Sequence, residues 1–123
     1  MTKKKILIID DEKSITRLLK FALEKTEIYE IFSENEGAKA LAVIRSVVPD
    51  LLIMDVNMPD ANGAEIANHV KSDPLLRHLP ILFLTGNVSD EEAEEGRTIS
   101  GCPAIGKPIN MERLLNHISK SLQ

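Results

Sequence analysis

The stretch ILIIDDE at residues 6–12 decides the fold class, because a short apolar run ends there at acidic side chains. Four apolar residues without polar alternation are typical of a strand buried on both faces. The same pattern recurs in LLIMD at 51–55 and ILFLT at 81–85, and more weakly at Ala104 and Ile105. A mixed polar and apolar run at 28–33 indicates a further strand at a sheet edge. The sequence therefore predicts five strands.

Between these runs the apolar residues are spaced as on one face of a helix. Three such stripes are Ile15, Leu18, Leu19, Ala22 and Leu23; Ala38, Leu41, Ile44 and Val48; and Met111, Leu114, Leu115, Ile118 and Leu122. Weaker helices are predicted at about 64–72 and 89–98. Five alternations of strand and helix predict a doubly wound α/β sandwich, (βα)5, with a five-stranded parallel sheet. The mixed second and short fifth strands suit the edges, as in the flavodoxin-like order 2-1-3-4-5.

Length and composition favour one globular domain, so we treat residues 1–123 as a single unit. Hydrophobic residues make up 43% and charged residues 28% of the chain, which excludes a disordered or collagen-like protein. The net charge of -4 disfavours nucleic-acid binding. The single cysteine, Cys102, cannot form an internal disulfide, which indicates a cytoplasmic protein. No apolar run is long enough for a signal peptide or a membrane span, so no membrane partner is expected.

Polar residues follow the apolar runs at the point where each predicted strand ends. They are Asp10, Asp11, Asp55, Thr85 and Lys107. The carboxyl ends of parallel strands meet at one edge of a sheet, and ligands bind there where the strand order reverses. We expect the three aspartates to converge between the first and third strands.

Three neighbouring carboxylates repel one another, so either some stay protonated through raised pKa values or a cation neutralises them. Hard oxygen ligands suit Mg²⁺. Together with Thr85 and Lys107, such a cation would bind a dianionic tetrahedral group, for which phosphoryl is the natural candidate. A carboxylate facing that group serves as a nucleophile and forms an aspartyl phosphate.

Four motifs together resemble the receiver domain of two-component response regulators, over essentially the whole chain. They are ILIIDDE (6–12), LLIMDVNMPDANG (51–63), ILFLTG (81–86) and GKPI (106–109). The resemblance implies that Asp55 accepts a phosphoryl group from a sensor histidine kinase or a histidine phosphotransfer protein. It also implies that Thr85 and Lys107 bind phosphoryl oxygens, and that the Lys107-Pro108 peptide is cis.

The same resemblance implies a Mg²⁺ site. Asp11 and Asp55 would bind the ion directly, Asp10 would act through water, and the backbone carbonyl of Asn57 would complete the protein's ligands. The Asn62-Gly63 pair stands where Asp-Gly is common, and we expect it to supply a turn with positive φ.

One departure from the family pattern is Ala104, which replaces an aromatic residue that often takes part in the switch. Output would then run through the backbone of the loop and helix at 86–98, or through another side chain. The fourth helix, fifth strand and fifth helix form the family's common partner surface, and the acidic run at 90–95 lies in it. A basic downstream protein partner would suit that run.

The leading hypothesis is a phosphorylation-controlled signalling switch whose only chemistry is to accept and then slowly hydrolyse its own phosphoryl group. It would be a regulated binding module more than a metabolic enzyme. Because the sequence ends directly after the fifth helix, we expect either a stand-alone receiver or a receiver taken from a longer protein. The alternatives are a small α/β phosphotransferase or phosphohydrolase with an aspartyl-phosphate intermediate, a flavodoxin-like cofactor binder, and a receiver-like scaffold that no longer signals by phosphorylation.

Overall fold

The computed structural model describes residues 3–86 and 98–123. The five long strands are β1 (Lys4–Ile9), β2 (Tyr29–Glu34), β3 (Leu51–Asp55), β6 (Ile81–Thr85) and β8 (Cys102–Gly106). Three strands have two residues each, β4 (Asn57–Met58), β5 (Ala61–Asn62) and β7 (Thr98–Ile99). The α-helices of the described part are α1 (Lys13–Glu24), α2 (Ala40–Val47), α3 (Gly63–Ser72) and α4 (Met111–Ser121), and a 3-10 turn at Gly37–Lys39 precedes α2.

The long strands are parallel and the sheet has the order β2-β1-β3-β6-β8-β7. This confirms the predicted doubly wound order for the five long strands. The fifth of them, β8, is not at the edge, because the short β7 pairs with it in antiparallel orientation. Ser100 and Gly101 connect β7 to β8 with φ values of 52° and 79°. Positive φ at both residues is what a two-residue hairpin loop needs.

The core has two layers, one on each face of the sheet. Alternate residues of β1 point to opposite faces, so Leu7 and Ile9 pack with α2 and α3, whereas Ile6 and Ile8 pack with α1 and α4. All four side chains are fully buried. Burial on both faces of the sheet therefore explains the unbroken apolar run at residues 6–9, as predicted.

In two helices the buried residues differ from those of the predicted apolar stripe. On α1 the buried line is Thr16, Leu19 and Leu23, which leaves Leu18 56% exposed. Thr16 is buried because its hydroxyl accepts a hydrogen bond from the Asn35 amide at 2.9 Å. Val48, the last residue of the second stripe, ends α2 in a left-handed conformation and is exposed.

The helix predicted at 89–98 lies largely outside the described residues, and so does the acidic run at 90–95. Thr98, its predicted last residue, belongs to β7. Among the helices of 3–86 and 98–123, none has both the length and the apolar character needed to cross a membrane.

The loop after β3 corrects the expectation for Asn62 and Gly63. Asn62 has a φ of -104° and caps α3, because its side-chain oxygen accepts hydrogen bonds from the N–H groups of Ala64 and Glu65 at 2.8 and 3.3 Å. Gly63 is needed for space, because a Cβ there would lie 2.6 Å from the carbonyl oxygen of Asp55 and 2.9 Å from the Cα of Val56. The pair therefore starts a helix against the backbone of β3.

We predict that Gly63→Ala lowers the free energy of unfolding by about 2 kcal/mol, because the added methyl meets backbone atoms that cannot move aside freely. Gly86→Ala is the control, because a Cβ at Gly86 meets none of the described residues within 4 Å. Urea unfolding of both variants measures the difference. Equal stability of the two variants would contradict the steric role given to Gly63.

Candidate functional site

The strand ends bring the polar residues predicted from the sequence to one edge of the sheet. Asp10 follows β1, Asp55 ends β3, Thr85 ends β6 and Lys107 follows β8. The register aligns these ends, since Ile9 pairs with Met54 and Asp55 with Leu84. The exposed fractions of Asp10, Asp55 and Thr85 are 0%, 5% and 2%. Such burial is unusual for the two carboxyl groups unless a partner charge lies nearby.

The three aspartates form a cluster in which each of Asp10, Asp11 and Asp55 offers one carboxylate oxygen, all within 4.8 Å of one another. This confirms the expected convergence between the first and third strands. A set of carboxylate oxygens at this spacing fits a small hard cation such as Mg²⁺.

The side chain of Asp10 provides a second sign that the cluster fits a cation. Its Oδ1 accepts a hydrogen bond from the N–H of Glu12 at 2.9 Å. Its Oδ2 is buried and has no hydrogen-bond partner, although the Lys107 Nζ lies 2.9 Å away. The two atoms form an ion pair without hydrogen-bond geometry. A buried carboxylate oxygen left in this state is costly, and a bound cation would satisfy it.

Lys107 contributes the positive charge of the site. Its Nζ lies 2.9 Å from Asp10 Oδ2, 3.1 Å from Glu12 Oε1 and 3.5 Å from Asp55 Oδ2. Burial alone would lower the pKa of the ammonium, but the carboxylates of Asp10, Glu12 and Asp55 close to it raise the pKa above its ordinary value. Lys107 therefore stays charged and partly neutralises the aspartates.

Asp55 has a raised pKa of about 6. Burial is the largest cause, the negative charge of Asp10 adds to it, and Lys107 opposes it. Repulsion among the aspartates is therefore reduced in two ways. The carboxyl group of Asp55 holds its proton more tightly than usual, and the Lys107 ammonium lies beside the acids. The N–H of Asn57 donates to Asp55 Oδ1 at 3.3 Å and so orients the carboxylate.

Two further residues support the site, and the sequence analysis did not assign them a role. Glu12, the third acid of the first motif, is half exposed and pairs with Lys107. Asn35 donates hydrogen bonds to the carbonyl oxygen of Asp10 at 2.8 Å and to the hydroxyl of Thr16. The run of acids was a signal for Glu12, whereas Asn35 had none, because its partners lie in another part of the chain.

Two features noted in the sequence lie in or directly after β8, the fifth long strand. The Lys107-Pro108 peptide is cis, as the resemblance implied. Ala104 is buried in β8 opposite Phe83, and it packs in the core layer beneath α2 and α3.

A doubly wound sheet that carries three aspartates, a threonine and a lysine at its carboxyl edge defines the receiver class of signalling proteins. The family model described as "Response regulator receiver domain" matches residues 6–119. The chain therefore belongs to the response regulator receiver family, whose members act as phosphorylation-controlled switches in two-component signalling. The receiver assignment made from the four motifs is confirmed.

Similar proteins cover the whole chain. The polar-differentiation response regulator DivK of Brucella ovis is 32% identical over 97% of this chain and 96% of its own length. The structure of the chemotaxis response regulator CheY4 of Vibrio cholerae has a TM-score of 0.82 at 34% identity, and the match covers 98% of this chain and 100% of that one. A probable cyclic di-GMP phosphodiesterase of Vibrio cholerae is 29% identical over 96% of this chain, which spans about a quarter (26%) of that protein.

We predict that Asp55→Asn stabilises the protein at pH 7 in the absence of Mg²⁺, by up to about 3 kcal/mol. The folded state binds the Asp55 proton more tightly than the unfolded chain does, so stability falls as the pH rises from about 4 to about 6. Asparagine removes that penalty, and its advantage should shrink towards pH 4. Urea unfolding across this pH range measures it.

Glu30→Gln is the matched control, because it removes an acid at an exposed position of β2. It should leave the pH dependence of stability unchanged. An Asp55→Asn protein with the same pH dependence as the unmodified protein would contradict the raised pKa.

Proposed function

We propose that Asp55 accepts a phosphoryl group from the phosphohistidine of a sensor histidine kinase or a histidine phosphotransfer protein. The observation that carries the proposal is the cluster of Asp10, Asp11 and Asp55, in which Asp10 and Asp55 are buried, with the Lys107 ammonium beside it. Carboxylates and an ammonium group lie side by side in this site. It therefore suits the joint binding of a metal cation by the carboxylates and of an anionic group by the ammonium.

Mg²⁺ would be held by Asp11 and Asp55 directly, by Asp10 through water, and by the backbone carbonyl of Asn57. When bound, the ion supplies the charge neutralisation that lets a dianionic phosphoryl group approach three carboxylates. The Oδ2 of Asp10, which lacks a hydrogen bond, and the spacing of the acid oxygens support this ligand set.

Asp55 acts as the nucleophile. At neutral pH a carboxyl group with a pKa of about 6 is mostly ionised, so it can attack without a separate base. One carboxylate oxygen forms a bond to phosphorus while the bond from phosphorus to the histidine nitrogen breaks, and the imidazole leaves with that electron pair. The Asn57 N–H holds Oδ1 of Asp55 and limits rotation of the carboxylate during the attack.

Lys107 and Thr85 bind the transferred group. Lys107 exchanges part of its contact with Asp10 and Glu12 for a phosphoryl oxygen, and the Thr85 hydroxyl binds another. Among the described residues an added Cβ at Gly86 would touch nothing within 4 Å, so this small residue adds no obstacle to the phosphodonor. The movement of Thr85 would draw the following loop inward and change the surface of 86–98.

The signalling role follows from this cycle. Slow hydrolysis of the aspartyl phosphate returns the site to its starting state, and this self-directed chemistry would be its only reaction. A downstream protein would read the surface formed by the segment after β6, by β8 and by α4. We take residues 1–123 as one domain. A cytoplasmic location and the lack of a direct nucleic-acid or membrane partner remain predictions from the sequence.

Incubation with Mg²⁺ and a small-molecule phosphodonor should add one phosphoryl group, and Asp55→Asn should abolish the addition. Intact-mass spectrometry measures it. Asp73→Asn is the control, because Asp73 follows α3 and pairs with Arg45. Labelling that persists in Asp55→Asn would refute the assignment of the acceptor.

Chelation of Mg²⁺ should stop phosphorylation without unfolding the protein, because the core layers consist of apolar side chains and include none of the proposed metal ligands. Circular dichroism and the phosphorylation assay, run on the same chelated sample, measure the two effects. Loss of the folded signal on chelation would mean that the metal has a structural role instead.

A further inference from the structure

The hairpin that follows the acceptor is tied to a distant part of the chain by Asp60. Strands β4 and β5 form this hairpin, and Asp60 lies in its turn. Asp60 Oδ1 accepts a hydrogen bond from the N–H of Gly37 at 3.2 Å, and Oδ2 accepts one from the N–H of Ala38 at 3.0 Å. Glu36, the cap residue of the 3-10 turn that starts at Gly37, makes no side-chain cap of its own. Asp60 supplies the cap from another element.

The packing around Gly37 shows that the hairpin lies directly against this turn. A Cβ at Gly37 would come within 2.7 Å of the Ala61 Cβ, 2.9 Å of Asp60 Oδ1 and 3.1 Å of the Met58 sulfur. Both strands of the hairpin therefore contact the start of the turn. The position of the hairpin is defined by contact as well as by hydrogen bonds.

The other end of the hairpin is fixed near the acid cluster. The N–H of Asn57 donates to Asp55 Oδ1, and the N–H of Gly63 donates to the carbonyl oxygen of Val56 at 2.8 Å. A hairpin of two-residue strands has little stability of its own, so its position depends on such attachments. Asp60 provides the attachment at the turn.

We propose that Asp60 is a positioning residue of the Mg²⁺ site, which acts through the hairpin on the backbone carbonyl of Asn57. This inference rests on the proposed role of Asn57 as a metal ligand. Asp60 keeps the hairpin against Gly37 and Ala38, and the pairing of Asn57 with Asn62 carries that position to the carbonyl. Groups that orient metal ligands in this way commonly change metal affinity about tenfold or more when they are removed.

The test is the Mg²⁺ dissociation constant, measured by following backbone amide resonances during titration with the metal alone. Asp60→Ala should raise it about tenfold. Asp60→Asn should raise it less, because the amide oxygen still accepts one hydrogen bond while its NH2 group cannot accept the second. Asp60 is exposed, so both variants should fold.

Asp50→Ala is the matched control. Asp50 Oδ2 also accepts a backbone hydrogen bond, from the Lys5 N–H at 2.8 Å. This bond lies at the amino ends of β1 and β3, whereas the aspartate cluster lies at their carboxyl ends. This variant should lose stability in thermal unfolding and keep the Mg²⁺ affinity within about twofold. Gly37→Ala retains the Asp60 carboxylate but pushes on the hairpin, so it should also weaken Mg²⁺ binding.

The outcomes separate this inference from the function on which it rests. An unchanged dissociation constant in Asp60→Ala, or an equal weakening in Asp50→Ala, would overturn the positioning role alone. Absence of Mg²⁺ binding in the unmodified protein would overturn the metal site, and the role of Asp60 with it.

Discussion

The balance between two buried carboxylates and one ammonium group is the constraint on which the rest of the structure depends. Asp10 and Asp55 end neighbouring parallel strands, so the fold itself places their charges together in a buried position. Lys107, delivered by β8, lies within 2.9 and 3.5 Å of them. The compensation is incomplete, because Asp55 keeps a raised pKa of about 6 and Asp10 keeps a buried oxygen without a hydrogen bond.

This incomplete compensation separates the possible functions. A scaffold that no longer uses the site would gain nothing from buried carboxylates whose charges are only partly compensated, and mutation of Asp55 to a neutral residue would stabilise it. In a phosphorylation switch, binding of the metal and of the phosphoryl group would offset the free-energy cost of the buried charges. Proteins commonly keep a destabilising group of this kind where it is needed for function. The geometry therefore favours an active receiver over a receiver-like scaffold.

The sequence predicted what depends on short-range patterns and on the ends of strands. Apolar runs identified the long strands, and the polar residue after each run identified the acid cluster, because parallel strands bring their carboxyl ends to one edge. Strand order was matched to the known flavodoxin-like topology, since local patterns indicate which strands lie at an edge but not which strands are neighbours. Thr16, Asn35 and Asp60 escaped prediction because each is explained by a partner far away in the chain. Asn62 escaped because its side chain caps a helix instead of supplying positive φ.

Ala104 narrows the route by which phosphorylation could reach the surface. With a small buried residue opposite Phe83, no large side chain at this position of β8 can swing between an inner and an outer state. A backbone connection is present in the described residues, where the N–H of Lys107 donates to the carbonyl oxygen of Thr85 at 2.9 Å. Under the proposed function both residues bind the phosphoryl group, so this hydrogen bond makes them respond together.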